Sequence, residues 1–231
     1  FTVGIGVGSM LCERMSGKHV EIGLVPFGSI GLTLFGLDLY FASPVGLVGT
    51  TPHQLLALLS MPAIWRVLFD LMMLGVFGGF FIVPMYALVQ LRSAPEHRAR
   101  VIAANNILNA LFMVVGALGA AALLGEGWSI PALFALGALL NAAVAIYIYG
   151  LVPEFLLRFI AWLLVKAVYR LRATGLGHIP HEGAAVLVAN HVSFADAVVI
   201  MGAAPRPIRF VMDHHIFRTP LLGFIFRHCG A

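Results

Sequence analysis

Charge is what this chain has least of. Only 10% of its 231 residues are Asp, Glu, Lys or Arg, 61% are apolar, and the mean hydropathy is +0.98. That leaves too little polar surface to clothe a water-soluble globule, so much of the chain is expected to sit in lipid. Cysteine is almost missing too: Cys12 and Cys229 stand far apart, which excludes a disulfide framework and offers no metal-ligand spacing. No charged segment, short apolar run and small-residue cleavage site open the chain, so no signal peptide is legible. Phe1 in place of Met and a last stretch, FRHCGA, without a polar tail read as the ends of a fragment. No basic stripe interleaved with aromatics occurs, which argues against nucleic acid as a partner.

The few charges are unevenly placed. Before residue 151, Arg14, Lys18, Arg66, Arg92, Arg98 and Arg100 are balanced by Glu13, Glu21, Asp38, Asp70, Glu96 and Glu126. Beyond it, Arg158, Lys166, Arg170, Arg172, Arg206, Arg209, Arg218 and Arg227 face only Glu154, Glu182, Asp196 and Asp213. The whole formal excess of +4 therefore falls in the last third of the chain. A basic surface there suits anionic lipid headgroups or an acidic acyl carrier.

Crossing the hydrocarbon core takes about 20 apolar residues, and the stretches 22–43, 64–91, 101–124 and 129–150 meet that length. The run before Glu13 reads as the cut end of a fifth crossing. Loops 13–21 and 92–100 carry Arg14, Lys18, Arg92, Arg98 and Arg100, whereas 44–62 and 125–128 carry no Lys or Arg. The positive-inside rule puts the first pair in the cytoplasm, and with it everything after residue 150. Small residues in VVGALGAAALLG and LGVFGGFF allow close helix approach in lipid. Residues 155–172, FLLRFIAWLLVKAVYRLR, confine Arg158, Lys166, Arg170 and Arg172 to about half of a helical circumference, as an interfacial helix does. A sixth crossing is the alternative. From Thr174 the texture turns to TGLGHIPHEG and then AAVLVAN, a turn-rich approach to a short buried strand, where an α/β domain is expected to start.

Just after that strand stands Asn190-His191-Val-Ser-Phe-Ala-Asp196. Of nine histidines, only His191 has an aspartate five positions on. An imidazole that titrates near neutrality can take a proton from a substrate hydroxyl, and a carboxylate can hold its tautomer and stabilise the imidazolium. The plainer reading is a pair that caps a helix or closes a turn.

The segment 173–231 resembles the glycerophospholipid acyltransferases of the 1-acylglycerol-3-phosphate O-acyltransferase type. The resemblance rests on TGLGHIPHEGAAVLVANHVSFADA and on RFVMDHHIFRTPLLGFIFRHCGA, with Phe210, Pro220, Gly223 and Gly230 where that family has F-V…P…G…G. It implies that His191 is the general base, Asp196 its partner, and that Asn190 and Ser193 support the turn. The family's arginine block and E-G-T-like turn would fall after Ala231, so the domain is read as truncated. Met212-Asp213-His214-His215 departs from the lysine-containing run of many relatives and leaves the headgroup open. The adjacent histidines invite a metal, but no Cys or acidic triad completes a site, and no metal or cofactor is expected.

Ionisable and amide residues inside apolar helices are the informative ones. Arg66 and Asp70 are four apart on one face and can pair, either to bind a charged substrate or to satisfy one another. Asn105 and Asn109 share a face and can line a cavity or glue helices together. Asp38 falls near the outer surface and reads as interfacial. The segment around Glu13-Arg14 and Gly17-Lys18 looks like a degenerate cytoplasmic loop motif of the major facilitator superfamily. WRVLFDLMMLGVFGGFFIVPMYALVQ followed by AANNILNALF resembles the last helices of that superfamily's lysophospholipid transporters.

The expected fold class is mainly α. A polytopic helix bundle, the last helices of a major facilitator fold, occupies 1–150, an interfacial linker 151–172, and the start of an α/β acyltransferase domain 173–231. The resemblances imply transport of a lysophospholipid and its re-acylation from acyl carrier protein or acyl-CoA, in the bilayer of a bacterial inner membrane with the acyltransferase cytoplasmic. The rivals are a transporter of another solute with a regulatory appendage, and an acyltransferase on a passive anchor.

Overall fold

The computed structural model describes residues 1–16, 23–43, 59–168, 171–180, 183–193, 195–204, 206, 208–211 and 213–217. The described residues are mainly helical and contain no strand. In chain order the α-helices are α1 (Thr2–Ser16), α2 (Leu24–Ala42), α3 (Pro62–Arg92), α4 (Arg98–Gly125), α5 (Ile130–Leu151), α6 (Glu154–Val168), α7 (Ala195–Ala203) and α8 (His214–Phe217). A 3-10 turn, Leu176–His178, precedes α7.

α2, α3, α4 and α5 are each long and apolar enough to cross a membrane. Their limits follow local chemistry. Pro62 starts α3, where its missing N–H costs nothing. The Ser129 hydroxyl accepts from the Ala132 N–H at 3.3 Å to cap α5, and Gly127, at φ +89°, makes the preceding turn. α1 has 15 residues and is by itself shorter than a crossing.

α2 is the hub. It runs antiparallel to α3, with Gly28 against Phe81, Gly31 against Phe77 and Asp38 against Arg66. It also runs antiparallel to α5, with Gly36 against Ala138 and Thr33 against Asn141. A polar ladder ties α2 to α5: the Asn141 amide donates to the Ser29 carbonyl at 2.9 Å and to the Thr33 hydroxyl at 2.8 Å, and the Ser29 and Tyr149 hydroxyls bond to each other. In lipid such bonds hold helices together, since burial alone gives them little drive.

α1 lies parallel to α3 through two small-residue faces, Gly4 and Gly8 on one and Gly75 and Gly79 on the other. A Cβ at Gly8 would stand 2.1 Å from the Val76 carbonyl oxygen, and one at Gly79 would stand 2.8 Å from the Ser9 nitrogen. Backbone faces backbone there, so nothing can yield. Gly6, on the other side of α1, has open space around it. We expect Gly8→Ala to destabilise the purified protein by about 1–3 kcal/mol, read as a lower Tm in detergent, and Gly6→Ala to leave Tm unchanged or raise it.

α4 contributes no buried residue: Phe112 and Met113 are exposed, as is most of the helix, and only Ile102, Asn105, Ala120 and Leu123 are half-buried. α6 lies at the end of the bundle that carries Arg14, Arg92 and Arg98. Phe159 is buried there, its ring 6.0 Å from that of Phe27 on α2, and Trp162 packs on the cluster of Cys12, Leu24, Val76 and Phe80. It also packs against α7, where Gly202 meets Val165 and the Ala161 carbonyl. α6 therefore wedges the C-terminal segment onto the bundle.

Two expectations are corrected. The linker helix is described as far as Val168, and residues 171–175 are not helical, whereas a helix to 172 was expected. The run 184–190 is not a buried strand: Val186 and Val188 are 90% and 91% exposed. A strand is stabilised by ladder bonds to a neighbour, and among the described residues none lies beside it.

Candidate functional site

The loop that carries the histidine motif leads straight into α7, and the start of that helix shapes it. The Ser193 hydroxyl accepts from the Ala195 N–H at 3.2 Å, and the Asp196 N–H donates to the Ser193 carbonyl at 3.0 Å. Asp196, in the first turn, reaches back, and its Oδ2 accepts from the backbone N–H groups of Val192 at 2.7 Å and Ser193 at 2.9 Å. This is the returning arm of a capping box, and it satisfies donors that a helix start leaves unpaired.

The same oxygen lies 3.2 Å from Nδ1 of His191. Nδ1–H then donates to the carboxylate, and the basic lone pair resides on Nε2. The His191 side chain is 70% exposed and that of Asp196 30%, so the imidazole is open to a substrate while the carboxylate is half sheltered beneath it. Amide donors hold the Asp196 carboxyl below its ordinary value of 3.8, first Ser193 and then Val192, and the neighbouring His191 adds to the effect. The capping and catalytic readings of the sequence are thus not exclusive in geometry: one oxygen serves the helix and the imidazole together.

Sequence reasoning missed Arg206. Its Nη1 donates to the carbonyls of Pro180 at 2.9 Å and Gly183 at 3.0 Å, pinning the turn that leads to His191 from a loop more than 20 residues later. The only sequence signal was an arginine between two prolines. Asn190 lies in the exposed stretch before His191. Asp213, His214 and His215 bring one ligand atom each within 4.8 Å of one another, all exposed, so an acidic partner for the two histidines does exist. Asp213 Oδ1 already accepts the His215 N–H at 2.7 Å. Met212, Pro220, Gly223, Gly230 and Cys229 fall outside the described residues, as do Gly17 and Lys18.

The residues singled out within the helices form two separate groups. Arg66 binds Asp38 on α2 through Nε and Nη2, and not Asp70, the pairing that the four-residue spacing allowed. Asp38 is accordingly a cross-helix partner and not merely interfacial. Asp70 is completely buried. Some 20 positions further along α3, or about 30 Å, Tyr86 accepts a hydrogen bond from the Asn109 amide at 2.7 Å. Asn105 is half-buried one turn before Asn109. Two clefts lie elsewhere, between α2 and α5 around Asn141 and Tyr149, one of them reaching Phe81 and Met85 on α3.

Neither the curated proteins nor the solved structures yield a match to this chain. A match does come from the protein families, to the model described as Acyltransferase, over residues 170–231. That span contains the loop, the His191–Asp196 pair, Arg206 and the Asp213–His215 cluster, and it establishes that this chain, with its four membrane-length helices, carries an acyltransferase-type domain.

Proposed function

We propose that the protein re-esterifies a lysophospholipid at the cytoplasmic face of a bacterial inner membrane, with residues 173–231 the start of an α/β catalytic domain and helices 1–150 the lipid-handling part. The observation that carries the reading is the His191 Nδ1 to Asp196 Oδ2 contact of 3.2 Å inside the segment that matches acyltransferases.

The chemistry is a proton transfer coupled to acyl exchange. Nε2 of His191 removes the proton from the acceptor's free hydroxyl, and its oxygen attacks the thioester carbonyl of acyl carrier protein or acyl-CoA. The C–O ester bond forms, the C–S bond breaks, and the thiolate leaves with the proton from the imidazolium. Asp196 holds the tautomer and offsets the transient positive charge. Asn190 and Ser193 shape the loop.

Placement of α6 supports delivery from the membrane. It packs on α2 at the end where Arg14, Arg92 and Arg98 cluster, the end that the positive-inside rule assigns to the cytoplasm. α7 rests on α6, which keeps the histidine loop close to the headgroup region where a lysolipid would emerge. The transporter reading adds that the helices, as the last part of a major facilitator fold, bring that lysolipid across, with Arg66, Asp70, Asn105 and Asn109 as candidate path residues.

The test uses the full-length protein in liposomes with radiolabelled lysophospholipids and either acyl carrier protein or CoA thioesters. We expect diacyl product from at least one donor. No product from either, with folded protein and lysolipids of several headgroups, overturns the reading.

A further inference from the structure

Asp70 is a buried titratable group that acyl transfer does not use. It is completely buried, and neither of its carboxylate oxygens has a hydrogen-bond partner among the described residues. One turn earlier on the same face of α3, Arg66 forms its ion pair with Asp38 on α2. Two acids and one base are thus grouped at one α2–α3 contact, and the base has chosen the acid on the other helix.

The arrangement makes sense only if Asp70 carries no charge. An ionised carboxylate taken out of water with no donor is far too costly to persist, and such a group takes up a proton instead. The charged groups that act on Asp70 are Asp38, from α2, and Arg66, on its own helix. α1, which also packs on α3, brings no ionisable side chain to this level; its Glu13 and Arg14 lie at its far end.

We propose that Asp70 is a proton-binding site within the membrane part, and that its proton decides the partner of Arg66. With the proton on, Arg66 clasps α2 to α3 through Asp38. With the proton off, Asp70 is a second anion at helical i, i+4 spacing from Arg66 and draws the guanidinium to itself. The clasp then opens. One proton passes between Asp70 and water, and no covalent bond other than O–H changes. The side chains of Arg66 and Asp38 are 55% and 37% exposed, and Arg66 lies one turn from the start of α3, so the clasp sits near the end of that helix with Asp70 one turn further in.

The test reads protonation and helix separation, not acylation, so its outcome is independent of the function proposed above. The full chain in lipid nanodiscs is examined by infrared difference spectroscopy near neutral pH. Wild type minus Asp70→Asn is expected to show the carbonyl band of a protonated carboxylic acid. In Asp38→Asn, where Arg66 is released to Asp70, that band is expected to be lost at the same pH. Spin labels at Phe41 and Trp65, with both native cysteines changed to serine, are expected to move apart as pH rises in the otherwise wild-type chain and to stay together in Asp70→Asn. An ionised Asp70 in the wild type at neutral pH, or a label distance with the same pH response in Asp70→Asn, overturns the proposal. Should Asp70→Asn fail to fold, the comparison of wild type with Asp38→Asn suffices, and an unchanged band overturns it.

Discussion

His191→Ala is expected to lower the rate of acyl transfer by about 10²–10⁴-fold, the usual worth of a positioned general base. The side chain is 70% exposed, so alanine removes little packing and the fold is expected to survive. What it removes is the Nε2 lone pair that Asp196 holds in place. An alcohol is a poor nucleophile at neutral pH, and without a base it must lose its proton to water as it attacks. The loss is expected on kcat, with lysolipid binding little changed, because in the proposed mechanism the imidazole meets only the reacting hydroxyl. Initial rates at saturating donor, with bound lysolipid measured separately, check this. A variant that keeps wild-type kcat would remove His191 from the mechanism.

What could be read from the sequence is what depends on neighbours along the chain. The apolar runs 64–91 and 129–150 gave α3 and α5 to within two residues, because lipid imposes both length and composition on a helix that crosses it. The histidine motif was legible for a similar reason. His191, Ser193 and Asp196 lie within one turn of a helix start, and their contacts are local.

The misses are contacts between distant parts. Arg66 had an acid four residues away, yet its partner is 28 residues earlier, since helix packing and not spacing sets which carboxylate faces the guanidinium. Tyr86 as the partner of Asn109, and Arg206 as the donor to the Pro180 and Gly183 carbonyls, are of the same kind. AAVLVAN has strand composition, but a strand exists only with another beside it, and its own residues cannot specify that neighbour. The glycines of α1 and α3 announced close packing; that Gly8 meets Val76 and Gly79 meets Ser9 is a matter of register.

Asp196→Asn and Asp196→Ala separate the two tasks of one oxygen. The asparagine carbonyl can still accept from Val192 and Ser193, so the loop and the start of α7 keep their shape, but the negative charge facing His191 is gone. We expect kcat to fall by about 10²-fold or more, with a Tm close to wild type. Alanine loses the charge and the cap together, so its kcat falls at least as far and its loop loosens. The pH dependence follows from the depressed carboxyl. A group held below its unfolded value stabilises the fold at pH above that value and ceases to do so as pH falls through the folded one. The loop of the wild-type protein is therefore intact at neutrality and loosens only below about pH 4. Amide exchange at Val192 and Ser193 measures this: slow at neutral pH and released in acid for wild type, insensitive to acid in Asp196→Asn, and fast throughout in Asp196→Ala. Equal exchange in all three would mean that Asp196 does not hold the loop, and an Asp196→Asn enzyme with undiminished kcat would mean that its charge does not serve the base.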